Sequence, residues 1–134
     1  MAEQDQPINI RLFDAVSAGD LVAVGQLLRG GANPNSHHVL HGTTPLHDAA
    51  GAGDVRMAEL LIEHGADLSD SANNTASTAL GIAAIAGLAE MVRLLMRHGA
   101  KLSRSEVETG LVRELEDYGE KEIALLLQTR GIEP

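Results

Sequence analysis

The chain has 134 residues and a formal net charge of −9, with no cysteine, no tryptophan, one phenylalanine and one tyrosine. The length suits one domain or one short repeat array, and the lack of cysteine excludes disulfides, thiolate metal sites and a cysteine nucleophile. A strongly acidic surface repels phosphate backbones, which argues against nucleic-acid binding.

The start of the chain, residues 1–10, is polar and has no apolar segment of the kind found in signal peptides. The longest apolar run, residues 79–89, is short and interrupted by glycine, so we expect no membrane span. These features predict a cytoplasmic chain with a single domain over residues 1–134.

Two series of glycines divide the chain, and the spacings within each series are 34, 34 and 32 residues. Glycine adopts left-handed backbone at no steric cost, so one series predicts turns between antiparallel helices and the other predicts helix ends. The turn series is Gly19, Gly53, Gly87 and Gly119. The helix-end series is Gly31, Gly65, Gly99 and Gly131. We expect four units, at about residues 9–41, 42–75, 76–109 and 110–134.

Between a turn glycine and the next helix-end glycine lies an amphipathic helix. Its apolar residues recur at helical spacing, which places one apolar stripe on one face of the helix. The stripes are Leu21, Val24, Leu27 and Leu28 in the first unit, Val55, Ala58, Leu61 and Ile62 in the second, and Leu88, Met91, Val92 and Leu95 in the third.

The helix that comes first in each unit is clearest in the second. Thr44 suits the N-cap, because its hydroxyl can accept from a backbone N–H, and Pro45 suits the first helical position, where no N–H is needed. The third unit repeats this pattern loosely, with Gly81 at the place of His47. Glycine costs a helix about 1 kcal/mol relative to alanine, which predicts a locally weaker third unit.

The fourth unit diverges from the others. Ser105 and Glu108 have the spacing of a capping box, and Val107, Leu111 and Leu115 follow at i, i+4 and i+8. Three polar segments separate the units and predict extended loops. They are residues 32–42, 66–76 and 100–110.

The second unit resembles the consensus of the ankyrin-repeat family. The similarity lies in residues 44–53, Thr-Pro-Leu-His-x-Ala-Ala-x-x-Gly, and residues 60–67, Leu-Leu-Ile-Glu-His-Gly-Ala-Asp. Residues 27–33 and 94–100 match the second half of the same pattern. The resemblance implies an all-α repeat fold, a solenoid of stacked antiparallel helix pairs with short β-hairpin fingers. It implies structural roles for Thr44, Pro45, His47, Gly53, Gly65, Gly87 and Gly99.

The resemblance also implies a function, namely binding of another protein as an inhibitor, adaptor or scaffold. Members of the family bind through the fingertips and through the concave face formed by the first helix of each unit. We therefore expect a protein partner, no cofactor, no metal, and a chain that is a monomer by itself. No nucleophile elbow or phosphate-binding loop is present, so the sequence does not predict an enzyme.

The first finger carries candidate contact residues that the repeat does not require: His37, His38, Val39, Leu40 and His41. An apolar tip is typical of a partner contact, although it could instead pack against a neighbouring finger. Further candidates come mainly from the first-helix face implied by the resemblance. They are Ser17, Ala18, Thr43, Asp48, Gly51, Ala52, Asn74, Thr75, Ser77, Ile85 and Ala86.

Two alternatives stay open at this point. The chain could be a self-assembling structural protein, although it has few of the aromatic residues that homodimer interfaces favour. The finger histidines could support a metal-linked role, because histidine-rich tracts bind zinc. Asp48 beside His47 does not indicate catalysis, because adjacent helix positions do not face each other.

Overall fold

The computed structural model describes residues 7–71 and 77–128. These residues form nine α-helices and contain no β-strand, which confirms the all-α class. The helices are α1 (Ile8–Ser17), α2 (Leu21–Arg29), α3 (Pro45–Ala52), α4 (Val55–Glu63), α5 (Ala79–Ile85), α6 (Ala89–Arg97), α7 (Arg104–Glu108), α8 (Leu111–Asp117) and α9 (Lys121–Leu126). None of these helices is long and apolar enough to cross a membrane.

Eight of the nine helices form two layers. Helices α1, α3, α5 and α8 pack side by side in that order, and α2, α4, α6 and α9 do the same. Each helix of the first layer also packs against the helix that follows it in the second. The apolar stripes of α2, α4 and α6 face inward, and most of their residues are buried while the rest are partly buried against the core. The helix pairs therefore stack into one continuous core, as repeat proteins do.

The helix-end glycines close the second-layer helices in the same way. At the end of α4, the Gly65 N–H donates to the Ile62 carbonyl and the Ala66 N–H donates to the Leu61 carbonyl, both at 3.0 Å. This pair of bonds requires left-handed backbone at Gly65, whose φ is 97°. Every glycine of the two series that the structure describes has positive φ, and Gly131 lies outside the described residues.

The loop between α2 and α3 is a tight turn and not a β-hairpin ladder. The His38 N–H donates to the Thr43 carbonyl at 2.7 Å, and the Gly42 N–H donates to the His38 carbonyl at 2.8 Å. This loop also bonds the base of the next one, since the Asn35 side chain donates to the Gly65 carbonyl at 3.0 Å. The predicted finger is thus present as a loop, but no described residue of it is in a strand.

The third polar segment was expected to be an extended loop, and it contains α7 instead. The capping box also lies two residues earlier than predicted. Ser103 Oγ accepts from the Glu106 N–H at 3.2 Å, and the Glu106 carboxylate accepts from the Ser103 N–H at 2.8 Å. Ser105 and Glu108 have the same spacing, but only Glu106 also reaches a partner in α5.

A second consequence of α7 concerns the apolar stripe predicted for the fourth unit. The chain turns at Gly110, whose φ is 81°, and only then enters α8. Leu111 and Leu115 are buried on α8, whereas Val107 lies on α7 and is exposed. The i, i+4, i+8 pattern therefore joined residues of two different helices, and the prediction of one stripe was wrong.

The Glu106 carboxylate completes the N-terminus of α5. Thr78 donates to it twice, from its N–H at 3.2 Å and from its hydroxyl at 2.8 Å, while Thr78 Oγ1 accepts from the Gly81 N–H at 3.1 Å. A Cβ added at Gly81 would overlap this carboxylate. The glycine that predicted a weaker third unit therefore makes room for a buried acceptor from the following loop.

Candidate protein-interaction surface

His38 organises the tip of the first loop. Its Nδ1 accepts from the N–H groups of Leu40 and His41, at 3.1 and 3.3 Å. Its ring stacks on His41 and meets Phe13 edge-on, with ring centroids 4.6 and 5.1 Å apart. These contacts hold the tip so that Val39 is 87% exposed and Leu40 is 79% exposed. We call residues 37–41 the fingertip.

The fingertip histidines hold loops together and do not converge on a metal site. His37 Nε2 lies 3.0 Å from Asp70 Oδ1, which connects the first loop to the second. Within residues 7–71 and 77–128, no three His, Asp or Glu side chains come together as metal ligands.

His47 connects the start of α3 to the loop that follows α4. Its Nδ1 accepts from the Thr44 N–H at 3.0 Å, so in the neutral ring Nε2 carries the proton. Nε2 lies 3.0 Å from the carbonyl oxygens of both Asp70 and Ser77. Ser77, a predicted contact residue, thus uses its backbone to hold the loop. The candidates Asn74 and Thr75 lie outside the described residues.

Asp48 is half-buried and lies near Thr43 and the histidines of the first loop. Burial raises the pKa of Asp48 above its ordinary value, and the hydrogen bond from the Thr43 side chain acts in the opposite direction. The two predicted residues Thr43 and Asp48 are therefore brought together, as a hydrogen-bonded pair.

The last two residues before each turn glycine form an exposed row, which we call the first-helix row. The first-layer helices pack in order, so these residues recur from one helix to the next. Gly51 is close to α5, because an added Cβ would lie 3.5 Å from Ile82 Cγ2. All eight members are exposed. They are Ser17, Ala18, Gly51, Ala52, Ile85, Ala86, Asp117 and Tyr118.

Tyr118 is a member of the row that sequence reasoning missed. It is 77% exposed, and Ile85 on the neighbouring helix is 64% exposed. Tyr118 precedes Gly119 as Ala86 precedes Gly87, so the glycine spacing alone could have identified it. The divergent fourth unit hid this equivalence, because its helix boundaries were assigned from the wrong capping box.

A family model for ankyrin repeats matches residues 12–106, with three copies of the repeat. A comparison with curated proteins finds no match. The matched segment covers α1 to the middle of α7, and α8 and α9 extend the same two layers beyond it. Ankyrin repeats are typically non-enzymatic and generally serve as protein–protein interaction modules. The helix pairs, their glycine-capped ends and the family match together show that the chain belongs to the ankyrin-repeat family.

Proposed function

We propose that this chain is a non-enzymatic binding protein that holds a partner protein against its first-helix row and fingertip, as an inhibitor, adaptor or scaffold. One observation carries the proposal. Four large apolar side chains that the core does not use, Ile85, Tyr118, Val39 and Leu40, are exposed on the parts of the repeat that stacking does not require.

The physical reason is that the stack fixes some positions and leaves others open. Buried positions are constrained by the neighbouring unit, whereas residues of the row face outward and can vary at little cost to folding. An exposed aromatic or branched side chain there gains free energy only when a partner covers it. Ile85 and Tyr118, on the adjacent helices α5 and α8, therefore form the apolar centre of the proposed interface.

The charge along the first-layer helices favours a basic partner. Asp14, Asp48, Glu114 and Asp117 lie on the first-layer helices, within five residues of a turn glycine, and none of the eight row positions is Lys or Arg. Together with the net charge of −9, these carboxylates would attract cations along the rim and accelerate encounter with a partner.

We further propose that the chain acts in the cytoplasm without a cofactor and is a monomer until it meets its partner. Self-assembly would instead bury the row against a second copy. Light scattering across a concentration series tests this point: a constant monomer mass is expected, and a dimer at low concentration would favour self-assembly.

Affinity capture from an extract of the source cells, followed by mass spectrometry, tests the interface. Ile85→Arg and Leu40→Asp are expected to lose the protein captured by the wild type while keeping its circular dichroism and melting temperature. Val22→Arg is the matched control, because Val22 is equally accessible but lies on α2 in the second layer. Equal capture by Ile85→Arg and Val22→Arg would remove the row from the interface, and unfolding of both Ile85→Arg and Leu40→Asp would place these residues in the core.

A further inference from the structure

A small cavity lies between the fingertip and α1. Its volume is about 210 Å³. Its lining includes the apolar residues Ile10 and Phe13 of α1, His38 and Val39 of the fingertip, and the carboxylate of Asp14. Five of the lining residues are ones that sequence reasoning did not select, namely Asn9, Ile10, Phe13, Asp14 and Ser36.

We propose that this cavity receives one aliphatic or aromatic side chain from an extended segment of a partner protein, with a Lys or Arg of the same segment beside it on Asp14. The proposal rests on the proposed protein-binding function and deepens it, because it gives the fingertip part of that interface an occupant of stated chemistry.

The walls of the cavity are formed without a ligand. The ring of His38 is held by two backbone N–H groups and by the edge-on contact with Phe13, at a centroid distance of 5.1 Å. His37, which also lines the cavity, is bonded to Asp70 at 3.0 Å. A preformed cavity needs no ordering of its own residues on binding, which favours recognition of a short segment.

The size of the cavity selects the occupant. Sites for cofactors and drug-sized ligands measure roughly 300–1,000 Å³. A volume of about 210 Å³ is below that range and suits a single large side chain. Because Val39 is 87% exposed at the mouth, a segment lying across the cavity would also cover Val39.

The charge at the cavity selects the flanking residue. Among the described residues, the exposed Asp14 carboxylate makes no ion pair, and no Lys or Arg lines the cavity. A cationic side chain next to the apolar anchor would meet Asp14 and gain from the acidic surroundings. An acidic segment would be repelled, and this charge preference distinguishes the proposal from nonspecific hydrophobic binding to the cavity.

The test is display of random peptides against the full chain, followed by titration of the enriched peptide. We expect the enriched sequences to share an aliphatic or aromatic residue within about two positions of Lys or Arg. The first residue must fill the apolar cavity while the second contacts the Asp14 carboxylate. Val39→Ser should weaken the peptide at least about fivefold, from lost apolar contact. Asp14→Asn should weaken it about threefold, with a smaller salt dependence.

Two matched controls lie outside the cavity and outside the first-helix row. Val22→Ser removes the same apolar group from an exposed site on α2, and Glu59→Gln removes one exposed charge from α4. Both should change the peptide affinity by less than about twofold, as surface substitutions do. Enrichment of acidic peptides, failure to enrich any peptide, or equal loss in Val39→Ser and Val22→Ser would overturn the proposal.

Failure here is distinguishable from failure of the proposed function. If Ile85→Arg loses the captured partner while Val39→Ser and Asp14→Asn retain it, the row binds the partner and the cavity does not. A second copy of the chain as occupant would show itself as concentration-dependent NMR shifts of Phe13 without any peptide, and this result would also overturn the proposal.

Discussion

The second and third units begin their first helices with the same residue and complete it in different ways. Thr44 and Thr78 are both N-caps, and both are 1% exposed. In the second unit, the Thr44 N–H donates to the ring of His47, three residues later on the same helix. In the third unit, the residue equivalent to His47 is Gly81, and the Thr78 N–H donates instead to the Glu106 carboxylate of α7.

A buried N–H therefore needs an acceptor, but that acceptor can come from the same helix or from a distant segment. His47 reaches forward from α3 to the carbonyl groups of the loop that follows its unit. Glu106 lies on α7, after the third unit, and its carboxylate accepts from the Thr78 N–H at the start of α5. The same carboxylate also accepts from the Ser103 N–H at the start of α7. In both units, the start of the first helix is therefore hydrogen-bonded to the segment that follows the unit. The bonding side chain belongs to the helix in the second unit and to the following segment in the third.

Removal of Glu106 should break the third unit most strongly. Glu106→Ala leaves three donors without their acceptor, namely two buried donors on Thr78 and the partly buried N–H of Ser103. We expect a loss of about 3 kcal/mol in the free energy of unfolding, measured by urea denaturation. The control Glu108→Ala, on the exposed side of α7, should lose less than about 1 kcal/mol, because its pair with Arg104 is a surface ion pair. Equal losses would mean that the Glu106 bonds contribute no more than that pair.

Gly81→Ala should destabilise the chain although alanine is the better helix former. The new Cβ would displace the Glu106 carboxylate, so we expect a net loss of about 2 kcal/mol. The control is Gly25→Ala on α2, where the new Cβ meets only the end of the flexible Arg29 side chain. That change should instead gain up to about 1 kcal/mol. Thermal melts of both variants decide the point, and a gain in both would refute the overlap at Gly81.

The arrangement of the second unit can be transferred to the third. Gly81→His should destabilise the wild type by overlap with Glu106, and should stabilise Glu106→Ala by about 1 kcal/mol, because the imidazole can then accept from the Thr78 N–H. A double-mutant cycle in urea measures this change of sign. The same effect of Gly81→His in both backgrounds would show that the two side chains do not compete.

The smallest effect on stability concerns the position after His47 in the second unit, which is Asp48. The equivalent position in the third unit, after Gly81, is Ile82. Burial raises the pKa of Asp48 above 3.8, so its protonated form favours folding. That contribution is present below pH 3.8 and is lost as pH rises through the raised pKa. Asp48→Asn should therefore gain stability relative to the wild type between acidic and neutral pH.

Asp67 provides a control of opposite sign. Hydrogen bonds from the Ser69 hydroxyl and N–H lower the pKa of Asp67. Its contribution is present above the unfolded pKa of 3.8 and is lost as pH falls through the lowered pKa, so Asp67→Asn should lose stability relative to the wild type as pH rises. Melting temperatures from pH 3 to pH 7 test the pair: a shared rise would contradict the assignment for Asp67, and a shared fall would contradict the assignment for Asp48.

The sequence predicted those parts of the fold that depend on local spacing. The glycine series and the Thr44–Pro45 entry located the helix pairs, because turn glycines and caps act within a few residues. The sequence could not distinguish Ser103–Glu106 from Ser105–Glu108, since both satisfy the same local pattern. The choice is made by Thr78, which lies 28 residues from Glu106, and single-sequence spacing contains no information about that contact.

The candidate site followed the same division. Val39, Leu40 and Ile85 could be selected because they are apolar at places where the repeat does not need apolar residues. Tyr118 was missed although its place before Gly119 follows from the glycine spacing, and Asp14 became notable only when the fingertip was placed beside α1. His38 was expected to contact a partner directly, which stays a prediction, and its ring also bonds the loop and contacts Phe13 of α1.

The link from Glu106 to Thr78 has a consequence for the way in which the stack comes apart. In a repeat array of independent neighbours, the end unit can unzip alone and leave the rest intact. Here the loop that leads into the last helix pair also holds the acceptor for the start of α5. Detachment of α7 with that pair would expose the Thr78 N–H and loosen α5 in the same event, so the C-terminal end should open in a larger cooperative step than the N-terminal end.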